Sequence, residues 1–471
     1  MFLMRNAIRR SSVIFISILV CIFFTSLAWS NSSQQINFSE AVRFALNANP
    51  RIGVSKAKME AASASITETR GNGLPKLNLE VNASKSNNPL TVFGDKLSQS
   101  NASFADFGFA QFTGPSSINT VPTALNSPGY YNNWNTGVVI NIPLFSGGKT
   151  IAKVKKAESL LKAAQQGNNQ AKTELIYDVL QAYEGVHATT ELVEIANSAL
   201  IAANTYVKLT TDLYRQSIVI QSDVFIAKTY YRSAEATLKA AIAERNNQID
   251  AFRILIGKPE SHLIPGESVH LFLPNESINT LENHAYLSNS QLRSLKSTVD
   301  AYRAEINSAY AHNWPQINLQ LRHDWNAQTL SLSGSSNTAM LEMNWNIFSS
   351  GEQYGATHRA IAEFKQSSAE LDNTANTIRL AINQTLRAIY TADTQLKTSE
   401  LNARQSVEIV RLLKQRYGQG LINLGQLLDG QSRLDTARAQ KVMARYNMLL
   451  AKAKLLTLIN ELNPNCENDH A

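Results

Sequence analysis

The sequence predicts a membrane α+β fold in which one chain supplies four strands to a shared β-barrel, together with very long helices packed side by side. Three observations carry this prediction: an internal duplication, two half-polar strands in each copy, and helical segments far too long for one compact globule.

The duplication is read from ordered landmarks. Leu74-Pro75-Lys76-Leu77-Asn78-Leu79 returns as Trp314-Pro315-Gln316-Ile317-Asn318-Leu319, 240 residues later. Leu144-Phe145-Ser146-Gly147-Gly148 returns as Ile347-Phe348-Ser349-Ser350-Gly351, 203 residues later. Tyr214-Arg215-Gln216-Ser217-Ile218 returns as Tyr417-Gly418-Gln419-Gly420-Leu421, and Ile256-Gly257 as Ile459-Asn460, both at the same offset of 203. The 37 residues between the two offsets are an insertion in the first copy between about Ser86 and Asn133. A constant offset through three landmarks marks a true repeat.

Each copy reads helix, strand, loop, strand, very long helix, turn, long helix. A short helix is expected from Ser39, as N-cap, to about Asn47, and Asn49-Pro50 starts the next, with Asn as cap and Pro in the first turn. Gly71-Asn72-Gly73 ends it. Residues 148–216 contain no proline, and Ile176, Val179, Tyr183, Val186 and Val193 keep the three-and-four spacing of one helical face. Such a helix is about 100 Å long at 1.5 Å per residue. A second long helix is expected at 222–255, and copy two repeats the pair at 352–417 and 423–458. Helices of this length pack side by side as a coiled-coil-like rod or tube.

The strands carry the membrane argument. Leu77, Leu79, Val81 and Ala83 alternate with Lys76, Asn78, Glu80 and Asn82. Trp134, Thr136, Val138, Ile140, Ile142 and Leu144 alternate with Asn135, Gly137, Val139 and Asn141. Ile317, Leu319, Leu321 and Trp325 oppose Gln316, Asn318, Gln320, Arg322 and Asp324, while Ala339, Leu341, Met343, Trp345 and Ile347 oppose Met340, Glu342, Asn344 and Asn346. An ordinary soluble hairpin would explain one such pair. Four strands of about ten residues with charged or amide residues on the second face fit lipid outside and water inside. Tyr131, Trp134, Trp314, Trp325 and Trp345 lie at or beside strand ends, as girdle aromatics do. Four strands cannot close, since barrels begin at about eight, and an open edge in lipid leaves backbone groups unpaired. Three copies give twelve strands and an open lumen, whereas two give eight and a filled interior. A homotrimer embedded in outer-membrane lipid is the expected state.

The N-terminus agrees with export. Arg5, Arg9 and Arg10 precede an apolar run at 13–27, and Ala28-Trp29-Ser30 places small residues where a signal peptidase reads. The apolar run is short for an uncleaved anchor. Removal of three arginines and no acid lowers the net charge from +7 to +4, a mild, dispersed surplus that points away from nucleic acid. Of the two cysteines, Cys21 lies in the apolar run and Cys466 alone remains, so no internal disulfide forms.

Taken together, Asn49-Pro50, the strand openings Leu74-Pro75 and Trp314-Pro315, the two strand exits and the segment from Tyr417 to Asp429 resemble the TolC outer-membrane efflux family over nearly the whole mature chain, from about Phe38 to Leu462. The resemblance implies a barrel in the outer membrane of a Gram-negative cell, continuous with a long periplasmic α-helical barrel. It also implies two partners, a periplasmic adaptor and an inner-membrane efflux pump or ABC transporter. The organisation expected is a signal peptide at 1–30 and a first structural repeat at 31–256, with a long extracellular loop at 86–133. A linker or equatorial segment at 257–281, a second repeat at 282–462 and a tail at 463–471 complete it.

Family members close the periplasmic tip with a Tyr, Gly and acidic pattern. Here Tyr417, Gly420 and Asp429 match it, and Asp223 matches the acid of the neighbouring helix pair, a possible hydrogen-bond partner for Tyr417. Two positions depart: Ile422 stands where a basic residue ties the tip, and Gln426 stands where an inner acid is found. Three copies of Asp429 around one axis would raise local cation affinity. The turns Ser217-Ile218-Val219-Ile220 and Gly420-Leu421-Ile422-Asn423 place apolar residues at helix ends. They read either as adaptor-contact tips or as structural turn packing. The aromatics of the insertion, Phe93, Phe104, Phe107, Phe109 and Phe112, either narrow the outer mouth or pack on each other.

No catalytic site is expected. Gly147-Gly148-Lys149-Thr150 lacks the first glycine of a phosphate-binding loop, where Pro143 stands. Paired cysteines, a His-Glu-x-x-His motif and a Gly-x-Ser-x-Gly motif are absent from the sequence, and the eight histidines have no metal-ligand spacing. The expected role is a passive exit duct without cofactor. Drug efflux and type I protein secretion remain alternatives, with a periplasmic coiled-coil adaptor or an outer-membrane enzyme as readings from other classes.

Overall fold

The computed structural model describes residues 34–463, so the signal peptide expected at 1–30 and the end of the tail lie outside the described residues. Two compact units are present: one contains residues 34–52, 172–278 and 382–463, the other Gly53–Ala171 and Asn279–Ala381. No described helix is long and apolar enough to cross a membrane.

The strand unit holds a four-stranded antiparallel sheet in the order β2 (Lys76–Ser86), β3 (Tyr131–Phe145), β5 (Gln316–Ala327), β6 (Ser335–Asn344). Register is set by period-two patterning. Leu77 pairs with Ile140, Ile140 with Leu321 and Leu321 with Ala339, all on one face. Leu77, Leu79, Leu341 and Met343 are exposed there. One residue along, Glu80 and Asp324 both pair with Gly137 on the polar face. Among the described residues β2 and β6 each keep one side unpaired.

Two expectations about the sheet need correction. The fourth strand ends at Asn344, because its partner β5 begins at Gln316 opposite Asn344; Trp345 and Ile347 follow the strand, and Trp345 Nε1 donates to the Asn313 carbonyl at 3.1 Å. Tyr131 is not a lipid-face aromatic: its odd register places it with Asn133 and Asn135, and its hydroxyl donates to Gln99 Oε1 at 2.9 Å. The insertion folds into α3 (Pro89–Ser98), three 3-10 turns and α4 (Thr123–Asn126) between Ser86 and Tyr131.

The duplication is exact in the long helices. Helix α5 (Lys149–Arg215) and α9 (Glu352–Gly418) have 67 residues each, α6 (Gln221–Leu255) and α10 (Leu424–Leu458) 35 each. All four start and stop at the offset of 203 read from the sequence. Left-handed residues recur at the same offset: Gly148 and Gly351, Ser217 and Gly420, Gly257 and Asn460. Each α5–α6 and α9–α10 pair is thus one supersecondary unit built twice.

In the helical unit α1 (Phe38–Ala48) is capped by Asn37, not Ser39: Asn37 Oδ1 accepts from Glu40 N at 2.8 Å and from the Ser39 hydroxyl at 3.0 Å. A side chain can accept the orphan amide only from the position before the first turn. The linker is stitched to α5 around Tyr183, which is fully buried with Phe38 and Phe252 edge-on to its ring at 5.8 and 5.9 Å. Its hydroxyl accepts from Gly266 N at 3.0 Å and lies 2.9 Å from the Glu267 carbonyl. Next to it, the Glu184 carboxylate accepts from Val269 N at 2.7 Å and Ser268 Oγ at 2.8 Å, and β1 (Gln35–Ile36) pairs parallel with β4 (Ile264–Pro265).

Candidate functional site

The sequence-predicted site residues lie at the two helix-to-helix turns, where α5 meets α6 and α9 meets α10. Both turns follow one hydrogen-bond plan. Ile218 N donates to the Leu213 carbonyl at 3.0 Å and Leu421 N to the Arg416 carbonyl at 3.0 Å. These six-to-one bonds close each helix with a left-handed residue, Ser217 at φ 61° and Gly420 at φ 71°. Glycine takes that conformation freely and serine does not. The second turn is also better capped: Asn423 Oδ1 accepts from Gln426 N at 2.9 Å, whereas Ile220 in the equivalent place offers no side-chain cap. Ser217, Ile218, Gly420 and Leu421 are exposed, and Val219 and Ile422 are half-buried.

Beneath the turns the structure gathers an apolar cluster. Tyr206, Leu213, Ala227, Tyr417, Leu424 and Leu427 are buried together, with Val219, Leu413, Ile422 and Leu428 packed against them. Ile422, where the resemblance implies a basic residue, is part of an apolar contact. Tyr417 is 1% exposed, while its repeat equivalent Tyr214 is 43% exposed. The Tyr417 hydroxyl shares a hydrogen bond with Thr210 Oγ1 at 2.9 Å. The expected Tyr417–Asp223 bond does not form within the chain, because Thr210 on the facing turn of α5 lies in reach first. Burial pushes the Tyr417 hydroxyl pKa up, and the negative charge of Asp223 adds to that rise.

Asp429 is exposed and paired: Arg433 Nε donates to its Oδ2 at 2.9 Å, one helical turn on. Gln426 is exposed and Asp223 half-buried. A polar chain that sequence reasoning missed runs below the cluster. The Tyr206 hydroxyl donates to Gln431 Oε1 at 2.6 Å, and Gln431 Nε2 donates to Asp435 Oδ1 at 2.9 Å. Burial raises the Asp435 pKa and pushes the Tyr230 hydroxyl up to about 12. Spacing puts Gln431 on the apolar face of α10, four residues after Leu427 and three before Leu434, but it does not reveal the partner on α5.

The polar face of the sheet forms the second element. Arg322 Nε donates to Asp324 Oδ2 at 2.7 Å, Nη1 to Glu80 at 2.9 Å and Nη2 to Asn135 at 3.2 Å. The guanidinium fits because Gly137 lies beneath it: a Cβ there would stand 2.8 Å from Asp324 Oδ1. Asn135 Nδ2 also donates to Asp324 and Asn326 at 3.0 and 3.1 Å. No described group of side chains could hold a metal ion.

A sheet apolar on one face and charged on the other, with long helices paired at capped turns, defines a barrel-forming channel subunit. Residues 41–258 and 281–461 match the family described as outer membrane efflux protein, and the chain belongs to that family. It is 21% identical over 468 residues to outer membrane protein TolC of Escherichia coli, across 92% of this chain and 84% of TolC. It is 22% identical over 343 residues to the alkaline protease secretion protein AprF of Pseudomonas aeruginosa, across 69% of each. Among solved structures, the CmeC outer membrane channel of Campylobacter jejuni matches with a TM-score of 0.75 at 16% identity, over 92% of this chain and 88% of that one. VceC of Vibrio cholerae matches with a TM-score of 0.72 at 17% identity, over 90% and 95%. The protein is an efflux channel of the outer membrane that extends into the periplasm. Its relatives are channels rather than enzymes.

Proposed function

We propose that three copies close a twelve-stranded barrel and form the exit duct for substrates delivered by an inner-membrane pump through a periplasmic adaptor. The observation that carries this reading is the open sheet: β2 and β6 are unpaired on their outer sides while the sheet's apolar face is exposed. In lipid those backbone groups need partners. Native mass in detergent tests it, with a trimer expected and a monomer decisive against it. Leu79→Arg on the apolar face, 70% exposed in the single chain, is expected to cost about 2–4 kcal/mol near the bilayer midplane. It will lower the folded, heat-modifiable fraction in outer-membrane preparations; Asn78→Arg on the wet face will not.

The turns at Ser217-Ile218-Val219 and Gly420-Leu421-Ile422 serve as the adaptor contact, supported by their exposed apolar side chains. The cluster around Tyr417 and Leu427 keeps the tip closed, with Asp223, Gly420, Ile422, Gln426 and Asp429 around it. Arg433 holds the charge of Asp429, so the tip is less cation-selective than three bare carboxylates would make it. Arg433→Ala will shift the reversal potential of purified channels in a salt gradient toward cations; an unchanged potential would remove Asp429 from the filter.

A role in protein secretion is supported by the likeness to AprF, whose name assigns it to alkaline protease secretion. Efflux is favoured by the family description. Deleting the gene and measuring dye retention beside the secreted proteins separates the two.

A further inference from the structure

The insertion of the first copy folds back onto the polar face of its own sheet. Helix α3 is capped at its C-terminus by Gln99, which is 3% exposed. Gln99 Nε2 donates to the Asn132 carbonyl at 3.0 Å and to Asn133 Oδ1 at 2.9 Å, while its Oε1 accepts from the Tyr131 hydroxyl. Asn133 donates in turn to Asn326 Oδ1 at 3.1 Å, which joins this latch to the Arg322 network. The β5–β6 turn presses on the same point: a Cβ on Gly334 would stand 2.7 Å from the Ser98 carbonyl oxygen and 2.8 Å from Gln99 Cα. Every side-chain partner, Tyr131, Asn133 and Asn326, belongs to the face that carries Asn135 and Asp324, the wet side of the wall.

Beyond the latch the insertion is internally built. Lys96 and Asp106 form an ion pair at 2.5 Å, and Phe93 meets Phe107 edge-on at 4.8 Å. The Lys96 bond holds the Asp106 carboxyl down at about 2. Its outer surface, however, is apolar: Phe104, Phe109, Phe112 and Ile118 are all more than half exposed. Phe109, Phe112 and Ile118, with Phe107, line an open hollow of about 340 Å³. A loop that only met water would not keep such a patch.

We propose that the three insertions meet on the pore axis through these aromatic patches, so that the duct carries a second, hydrophobic constriction at its extracellular mouth. This rests on the trimer proposed above. The occupant of each patch is the same patch of the neighbouring copies. The latch holds the insertion on the lumenal face, and it springs from β2, the open edge that barrel closure joins to the next chain. A ring of aromatic side chains across a pore closes it by dewetting, without any polar lock.

The test uses the full-length chain with Cys21→Ser and Cys466→Ser, carrying Phe104→Cys, Phe109→Cys or Phe112→Cys, purified in detergent and treated with a mild thiol oxidant. Leu341→Cys on the lipid face is the control, and native mass is measured on each sample. A trimeric mass with covalent dimer as the main species for at least one insertion cysteine, and none for the control, is the expected result. A trimeric mass with no dimer above the control at all three positions overturns the outer constriction and leaves the trimer standing. A mass that is not trimeric overturns both.

Discussion

Arg322→Ala will destabilise the outer sheet by about 3 kcal/mol, the lower edge of the cost of removing one partner from a buried ion pair. The reason is the company that its guanidinium keeps. Asp324 has only 12% of its side chain exposed and sits across Gly137 from Glu80. Without Arg322 two carboxylates face each other over a glycine with no cation between them. Asn135 still donates to Asp324, and lumenal water reaches Glu80, so the loss stays below the upper end of that range. The readout is the temperature at which the SDS-resistant folded form is lost on a gel. Arg322→Ala should lower it clearly, and Glu80→Gln with Asp324→Asn in the same chain should restore much of it, because neutral amides need no counter-charge. Equal melting of wild type and Arg322→Ala would mean that the network is wetted throughout and contributes little.

That network also marks how far the sequence could be read. Alternation placed Glu80, Arg322 and Asp324 on one face, because a period of two fixes the face of every strand residue once one is known. The length of α5 and the offset of 203 were equally legible, since proline-free periodicity and repeated left-handed residues are local properties. What was not legible depends on neighbours distant in sequence. Gln99 looks like any loop glutamine until α3 is seen to end against β3. Tyr214 and Tyr417 are the same residue at equivalent positions of the repeat, yet one is exposed and the other buried. No single-copy pattern distinguishes them, because the difference arises from which hairpin packs over which. Tyr131 departs from the girdle expectation for a similar reason: aromatic girdles are recognised by residue type, while the face is set by register.

Leu427→Ala will open the periplasmic tip. Leu427 is fully buried at the centre of the cluster formed with Tyr206, Leu213, Tyr417 and Leu424. Truncating such a leucine costs about 2–5 kcal/mol, the transfer of the lost methyl groups plus the cavity left behind. At this position the loss falls on the packing between the α9–α10 and α5–α6 turns. The polar ties that cross between the helix pairs here are Tyr417 to Thr210 and Tyr206 to Gln431, while Asn423 and Arg433 bond within their own helix. A neutral hydrogen bond contributes about 1 kcal/mol. Apolar packing therefore outweighs polar ties in holding the tip, and Ile422 extends that packing. Purified Leu427→Ala channels should show higher single-channel conductance than wild type, and cells that carry them should admit a large hydrophilic antibiotic from outside more readily. Tyr417→Phe should do so only weakly, since it keeps the ring and loses one hydrogen bond. The exposed neighbour Leu421→Ala should leave conductance unchanged and, as an adaptor contact, reduce export instead. If Tyr417→Phe opened the channel as widely as Leu427→Ala, the tip would be held by its hydrogen bond and the apolar account would be wrong.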